Sequence, residues 1–516
     1  MPSSQLENLQ PVRARTIAVL IALFALFLVL RLPVMYRQPG GQDEDCYAVP
    51  GLTILKEGIP RLPHIPARNP ESVFYRADEA MYCEPPLYFY FQSVFYACLP
   101  HVYGTARLSA AVAGLFATAL VFYLNRRTLG SDSAGLWGAG LFLFSRWFYF
   151  PATSARPDIL CTAFGLAAIA FMFRWRESNQ LKWLIAVGIV IGAGGLTHPF
   201  ALVYAVQIAV WSILVSKGWR RITNPAILAG VSILVACLWI PLILMYPQAF
   251  EVQFKNQFFG GQSGNLLQRA IAPWESLWYH TFAQAGMFNH IEPWQSLLVA
   301  VPFVTCMLWS LKNRSPILPI CWLILSSVYL MSILVGPHHP VMGYWSYTAA
   351  LMFVCTGRFV AALLQRIRGD QTTAALPRRL LAGGVSIGLI LSMIPGSGLK
   401  TLYVHLKHWD DINYNAPLFG KTLALSLPAD SICAVDTQYL LDFIVNDRKT
   451  LLAQTMPMYF RLEQHSFDFL LVSRSGMETA IAKRLPVTLV RNEGIEQDPF
   501  ACYCEIYKSE KQETSR

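Results

Sequence analysis

Gly40-Gly41-Gln42-Asp43-Glu44-Asp45-Cys46-Tyr47 and Glu84-Pro85-Pro86-Leu87-Tyr88-Phe89-Tyr90-Phe91 stand toward the two ends of one stretch, Arg37 to Arg107, which separates the first long apolar run from the second. The stretch carries eight carboxylates (Asp43, Glu44, Asp45, Glu57, Glu71, Asp78, Glu79 and Glu84) in a chain of which only 14% is charged. Membrane helices are ordinarily joined by short loops. A loop this long, acidic at its start and aromatic at its exit is therefore where chemistry is expected, just outside a bilayer.

On either side of the loop the chain is apolar, and 54% of its residues are hydrophobic. A span needs roughly 20 apolar residues, and about eleven candidates follow one another: 16–34, 106–124, 134–150, 159–173, 183–196, 200–215, 226–245, 294–311, 317–335, 342–364 and 380–394. The expected fold class is a polytopic α-helical membrane protein with a C-terminal soluble α/β domain. The first run is expected to stay as an anchor, since it lacks a small-residue cleavage site. The net charge of +10 does not form a nucleic-acid-binding stripe; the basic residues sit in small clusters at alternate ends of successive spans. Arg13/Arg15, Arg126/Arg127, Arg174/Arg176/Lys182, Lys217/Arg220/Arg221, Lys312/Arg314 and Arg366/Arg368/Arg378/Arg379 all fall on one side, which places the N-terminus in the cytoplasm. The opposite face, exterior to a plasma (inner) membrane, receives the loop 35–107, a second large loop at 247–293 and the segment 400–516. Residues 1–399 read as one membrane domain.

From about Lys400 the periodicity shortens. Strands are expected at 431–435, 450–453, 467–472, 487–490 and 501–506, with helices at 418–427, 438–445 and 477–484. No Gly-rich phosphate loop appears, so no nucleotide is expected, and no internal repeat suggests two matching transporter halves. Of the eleven cysteines, Cys46 with Cys83, and two among Cys433, Cys502 and Cys504, are placed for disulfides if they face an oxidising compartment. His338-His339 is a poor metal pair, because neighbouring positions rarely present both rings to one ion.

Three groups of residues fit the chemistry of group transfer. Asp43, with Glu44 and Asp45 as competitors, can act as a general base at the interface. Asp158, in Arg156-Pro157-Asp158, is an exterior acid that can cap a helix, orient an acceptor, or share a divalent cation with Asp43. Arg31, Arg107, Arg146 and Arg156 lie near exterior ends of spans, against the positive-inside bias, and Lys255 and Arg269 follow among Phe254, Phe258, Phe259, Trp274, Trp278 and Tyr279. Guanidinium forks match phosphate oxygens, so a lipid-linked phosphate is a natural partner, with snorkelling to headgroups as the alternative. Tyr47, Glu84, Tyr88, His198, His338 and Tyr344 are the remaining candidates for a substrate pocket.

These residues resemble the GT-C superfamily of lipid-phosphate-sugar-dependent glycosyltransferases, in the branch of protein O-mannosyltransferases and the aminoarabinose transferase ArnT. The likeness rests on Asp43-Glu44-x-x-Tyr47, Pro85-Pro86-Leu87-x-Phe89-Tyr90, Ala106-Arg107-Leu108-Ser109 and Arg156-Pro157-Asp158; it covers 20–200 well and the tail weakly. It implies a polyprenyl-phosphate-linked sugar donor, inversion at the anomeric carbon, a lipid, glycan or protein acceptor, Asp43 as the catalytic first-loop aspartate and Asp158 as the second acid. It also marks a departure. ArnT-like proteins often carry a donor-associated lysine before the Pro-Pro pair, where this chain has Glu84, which leaves Arg156 and Arg269 to hold the donor phosphate. The rival reading is a polytopic transporter or flippase, which would place ionisable groups near the middle of spans.

Overall fold

The computed structural model describes residues 11–41, 43–129, 131–257, 266–271, 293–313, 315, 317–335, 342–368, 375–394 and 398–510. Every expected apolar segment is helical: α1 (Ala14–Arg37), then, after the loop helices α2 (Glu44–Tyr47), α3 (Val49–Glu57) and α4 (Leu87–Cys98), the series α5 (Tyr103–Leu129), α6 (Asp132–Leu143), α7 (Arg146–Thr153), α8 (Asp158–Ser178), α9 (Leu181–Gly195), α10 (Ala201–Val215), α11 (Arg220–Ala236) and α12 (Ile240–Met245). Beyond α13 (Pro247–Lys255) and α14 (Leu266–Ile271) come α15 (Pro293–Asn313), α16 (Leu318–Val335), α17 (Ser346–Arg368) and α18 (Ala375–Ser392). Among the described residues six helices are long and apolar enough to cross a membrane, so the chain is an integral membrane protein.

One expected single span is broken in two. At 134–150, Ser145 takes an extended backbone (ψ 157) and its Oγ donates to the Phe142 carbonyl at 2.7 Å, which ends α6 and starts α7 in a new direction. At 226–245 the expected span holds: α11 runs through a 3₁₀ turn at Cys237–Trp239 into α12, and Arg220–Met245 stays one membrane-length helix. The helices otherwise pack closely. A Cβ at Gly357 of α17 would lie 2.4 Å from the Ala134 carbonyl of α6, so only glycine permits that crossing.

The C-terminal part, after α19 (Leu399–Lys407) and α20 (Ala416–Ser426), is a five-stranded sheet in which each strand overlaps the position that alternation gives it. β1 (Ile432–Val435), β2 (Lys449–Leu452), β3 (Phe469–Val472), β4 (Val487–Gly494) and β5 (Tyr503–Ser509) run in the order β2-β1-β3-β5-β4. β1 is parallel to β2 and β3, while β5 is antiparallel to β3 and β4. All eleven cysteines are free thiols, so neither disulfide is formed. Cys433 on β1 and Cys504 on β5 are separated by β3, and Cys46 and Cys83 are buried as small apolar side chains.

The sheet unit is stitched to the first loop chiefly through its main chain. Gly40 N donates to Gln438 O (2.9 Å), Leu452 N to His64 O (2.9 Å) and Val73 N to Met458 O (3.0 Å). Arg37 donates to the Tyr414, His408 and Trp409 carbonyls, and the Tyr103 hydroxyl to Thr437 O at 2.6 Å.

Candidate active site

Asp43, Glu44 and Asp45 point to three different places, because successive residues at a helix start are rotated by about 100°. Asp43 precedes α2 in the left-handed region (φ 64), which aspartate tolerates better than most residues. Its carboxylate is 40% exposed and accepts a hydrogen bond from Arg156 Nη1. Glu44 is buried and saturated: Oε1 accepts from Arg107 Nε (2.9 Å) and Ala155 N (2.8 Å), Oε2 from Arg107 Nη2 (2.5 Å) and Gly41 N (2.7 Å). Burial alone would raise its pKa, but Arg107 and the backbone donors outweigh that and hold it below the usual carboxylate range. Four acceptor sites meet four donors, so Glu44 is a structural acid and the expectation of a catalytic role for it is corrected. Asp45 is buried beneath them and pushed up to about 7 by burial and then by Asp43.

Arg156 is the hub. It sits between α7 and α8, 1% exposed, with Nε donating to Asp158 Oδ2 at 2.8 Å and Nη1 to Asp43. Burial pulls its pKa down, yet Asp158 and then Asp43 raise it well above its ordinary value, so the guanidinium stays charged. Tyr47 and Tyr344 place their rings 5.4 and 5.8 Å from its carbon. Asp158, at the first turn of α8, is itself 1% exposed.

Glu84 and His198 complete the group. Tyr47 donates to Glu84 Oε1 at 3.3 Å; Glu84 Oε2 and Asp158 Oδ1 are buried without a hydrogen-bond partner among the described residues. His198 Nε2 stands 3.9 Å from the first and 4.0 Å from the second. Burial, then Asp158, push Glu84 up to about 8, and burial pushes His198 down to about 4. Both are neutral near pH 7, so their proximity is not an ion pair. A cavity of ≈ 20 Å³, lined by Asp158, His198, Phe200, Tyr344 and Tyr347 among others, leaves room beside them for about one water.

The other expected phosphate ligands lie elsewhere. Arg107 spends five N–H groups on Glu44 and on the Met35, Gln38 and Pro39 carbonyls, so the expectation that it binds phosphate is corrected: it closes the end of α1. Arg146 lies beside Tyr149, 5.3 Å from its ring centroid. Arg269 is buried and donates to Ile333 O at 3.4 Å, one turn along α16 from Tyr329, whose hydroxyl meets Ala270 O at 3.1 Å. No described contact joins either arginine to Arg156. Tyr88 is a buried support, 3.3 Å from Ser109 Oγ. His338, with Phe258, Phe259, Trp274, Trp278 and Tyr279, lies outside the described residues. Sequence reasoning missed Phe200, whose ring lies tilted against His198 with centroids 4.4 Å apart, and Tyr459, which the C-terminal unit brings close enough to feel the charge of Asp43. No local pattern marks a contact of that sequence separation.

Comparison with known proteins matches residues 83–245 to the dolichyl-phosphate-mannose-protein mannosyltransferase family. Among curated proteins no sequence match is found. In three dimensions the chain is similar to ArnT from Cupriavidus metallidurans in the apo state, at 14% identity and TM-score 0.57, over 96% of this chain and 98% of that one. The undecaprenyl-phosphate-bound form of the same protein aligns at 14% identity and TM-score 0.55, over 95% and 97%. The archaeal oligosaccharyltransferase AglB from Archaeoglobus fulgidus, in complex with an inhibitory peptide and a dolichol-phosphate, aligns at 11% identity and TM-score 0.52, over 95% of this chain and 74% of that one. At these identities the structures share the fold, and the family match covers the segment bearing Glu84, Arg107, Arg156, Asp158 and His198. The chain thus has the fold of ArnT, and its residues 83–245 are similar to the dolichyl-phosphate-mannose-protein mannosyltransferase family.

Proposed function

We propose that the protein transfers a sugar from a polyprenyl-phosphate donor to an acceptor hydroxyl at the exterior membrane face, with inversion. One observation carries this: a half-exposed acid, Asp43, is tied through a buried Arg156 to a second, buried acid, Asp158, beside two unsatisfied oxygens. The acceptor hydroxyl loses its proton to Asp43, its oxygen attacks the anomeric carbon, and the bond from that carbon to the phosphate oxygen breaks, releasing a polyprenyl phosphate. Arg156, charged throughout, stabilises the departing phosphate. The unsatisfied Asp158 Oδ1 accepts from a sugar hydroxyl. Glu84 replaces the branch's lysine with a neutral acid that donates a hydrogen bond, instead of bringing a positive charge. A divalent cation fits poorly between Asp43 and Asp158, because each gives one oxygen to the guanidinium of Arg156; in our reading Arg156 is the site's cation.

The protein in proteoliposomes, given a synthetic polyprenyl-phosphate sugar and a hydroxyl acceptor, is expected to release polyprenyl phosphate. Glu84 keeps its proton up to about pH 8, whereas an unfolded glutamate loses it near 4.5, so its share of stability is full below about 4.5 and declines until it is lost at about 8, and its donor role fades as pH rises through about 8. Turnover should fall on that alkaline limb, and Glu84→Gln should remove the limb. No release with any sugar donor would sink the function; an unchanged limb in Glu84→Gln would sink the role of Glu84.

The finer topology belongs to the same reading: about eleven spans in an inner or plasma membrane, N-terminus in the cytoplasm, sheet unit outside. It is supported by the arginine and lysine clusters that alternate between helix ends. A reporter fused after Arg516 should behave as exterior; cytoplasmic behaviour would overturn the orientation and the placement of the site.

A further inference from the structure

Arg31 belongs to none of this machinery. It lies on α1, is 1% exposed, and its Nε and Nη1 have no hydrogen-bond partner among the described residues. Its guanidinium rests on the ring of Tyr149, 4.2 Å from the centroid, and Arg146 approaches the same ring. The chain passes over it at Gly398 (φ +72), where any Cβ would meet Tyr149 and Arg31 Nη1 at 2.6 and 2.9 Å. A cation buried with unsatisfied N–H groups is costly unless an anion joins it.

Arg31 caps the end of an aliphatic groove of ≈ 800 Å³ between α1, α6 and the α18 end, formed by Leu23, Leu26 and Leu30 with Leu136, Gly140 and Ile390. The one carboxylate among the groove's lining residues, Asp132, is at the far end and is already bonded to Thr16 and Arg126. From Arg31 the lining follows α1 down to Arg15, a rise of about 24 Å at 1.5 Å per residue. One leaflet supplies only about 15 Å of hydrocarbon. A two-tailed phospholipid held at Arg31 would leave the lower part unfilled, whereas one long chain crossing the midplane fills it.

We propose that this groove is a second lipid-phosphate site, which holds a polyprenyl phosphate with its phosphate on Arg31 and its single tail along α1. The choice of lipid rests on the function proposed above; the need for an anion does not. Native mass spectrometry of the full chain, with undecaprenyl phosphate, undecaprenol and phosphatidylglycerol as separate probes, tests it. The wild type is expected to hold two undecaprenyl phosphates. Arg31→Gln should weaken one of them about tenfold or more, the effect of losing charge-assisted hydrogen bonds. Gly140→Phe, which fills the groove from a position where a Cβ has ordinary space (3.6 Å from Leu23), should lose the same copy. Undecaprenol should not occupy the site. Wild-type stoichiometry in both variants overturns the inference, as does Arg31-dependent binding of phosphatidylglycerol in preference to the single-tailed probe. One copy in all, lost in Arg31→Gln and kept in Arg156→Gln, upholds this site while removing the proposed donor site; one copy indifferent to Arg31 does the reverse.

Discussion

Asp43→Asn should insert, fold and bind donor as the wild type does while losing transfer by ~10²–10⁴-fold, the usual worth of a general base. The amide keeps an oxygen for Arg156 and the size of the side chain, so the loss is confined to the basic site. The competitors are separated by their surroundings. Glu44→Gln disturbs a saturated buried pair, so its effect should appear first in stability. Asp45→Asn alters an acid that is buried, pushed up to about 7 and not bonded to Arg156, so its turnover should stay closest to wild type. Turnover of a donor-analogue substrate by the three purified, inserted variants decides among them: wild-type rates in Asp43→Asn would refute the assignment, and a loss restricted to Asp45→Asn would move the base to that residue.

Arg107→Ala should cost about 3–5 kcal/mol of stability, the penalty for leaving a buried charge without its partner. It strips Glu44 of two donors and leaves the Met35, Gln38 and Pro39 carbonyls unsatisfied at the end of α1. Glu44 has a lowered pKa, so its contribution is present above the ordinary carboxylate range and lost as pH falls through the folded value. The variant should therefore melt well below the wild type at neutral pH, and the gap should narrow in acid. Adding Glu44→Gln should recover part of the loss by removing the orphaned charge. A single variant that melts with the wild type would show that the pair is not a structural support.

The helices and strands were legible because their periodicity is local: apolar runs of span length and short alternating strands need no knowledge of distant partners. The acid-rich start of the first loop was legible too, and the structure brings Asp43, Arg156, Asp158, Glu84, His198 and Tyr344 together. What could not be read was the division of labour within Asp43-Glu44-Asp45, which depends on the rotation at the start of α2. Arg107 was misread for a related reason: a surplus arginine at a helix end suggests a ligand, but its partners are carbonyls about 70 residues away and a glutamate 63 away. The break at Ser145 was hidden because the apolar run resumes at Trp147 directly after Ser145-Arg146, so a span-length stretch bridges it.

The seam between the first loop and the sheet unit bears on how such a protein can diverge. Gln438, Met458, Tyr414, His408, Trp409 and Thr437 enter it as backbone carbonyls. A carbonyl is common to every residue, so the joint registers the path of the chain and is largely indifferent to spelling. Substitutions can accumulate on that side without unfastening it, provided the turns keep their course. Architecture can then outlast sequence: a fold aligned over 96% of the chain coexists with 14% identity, and the family match in sequence lies at 83–245, outside the tail.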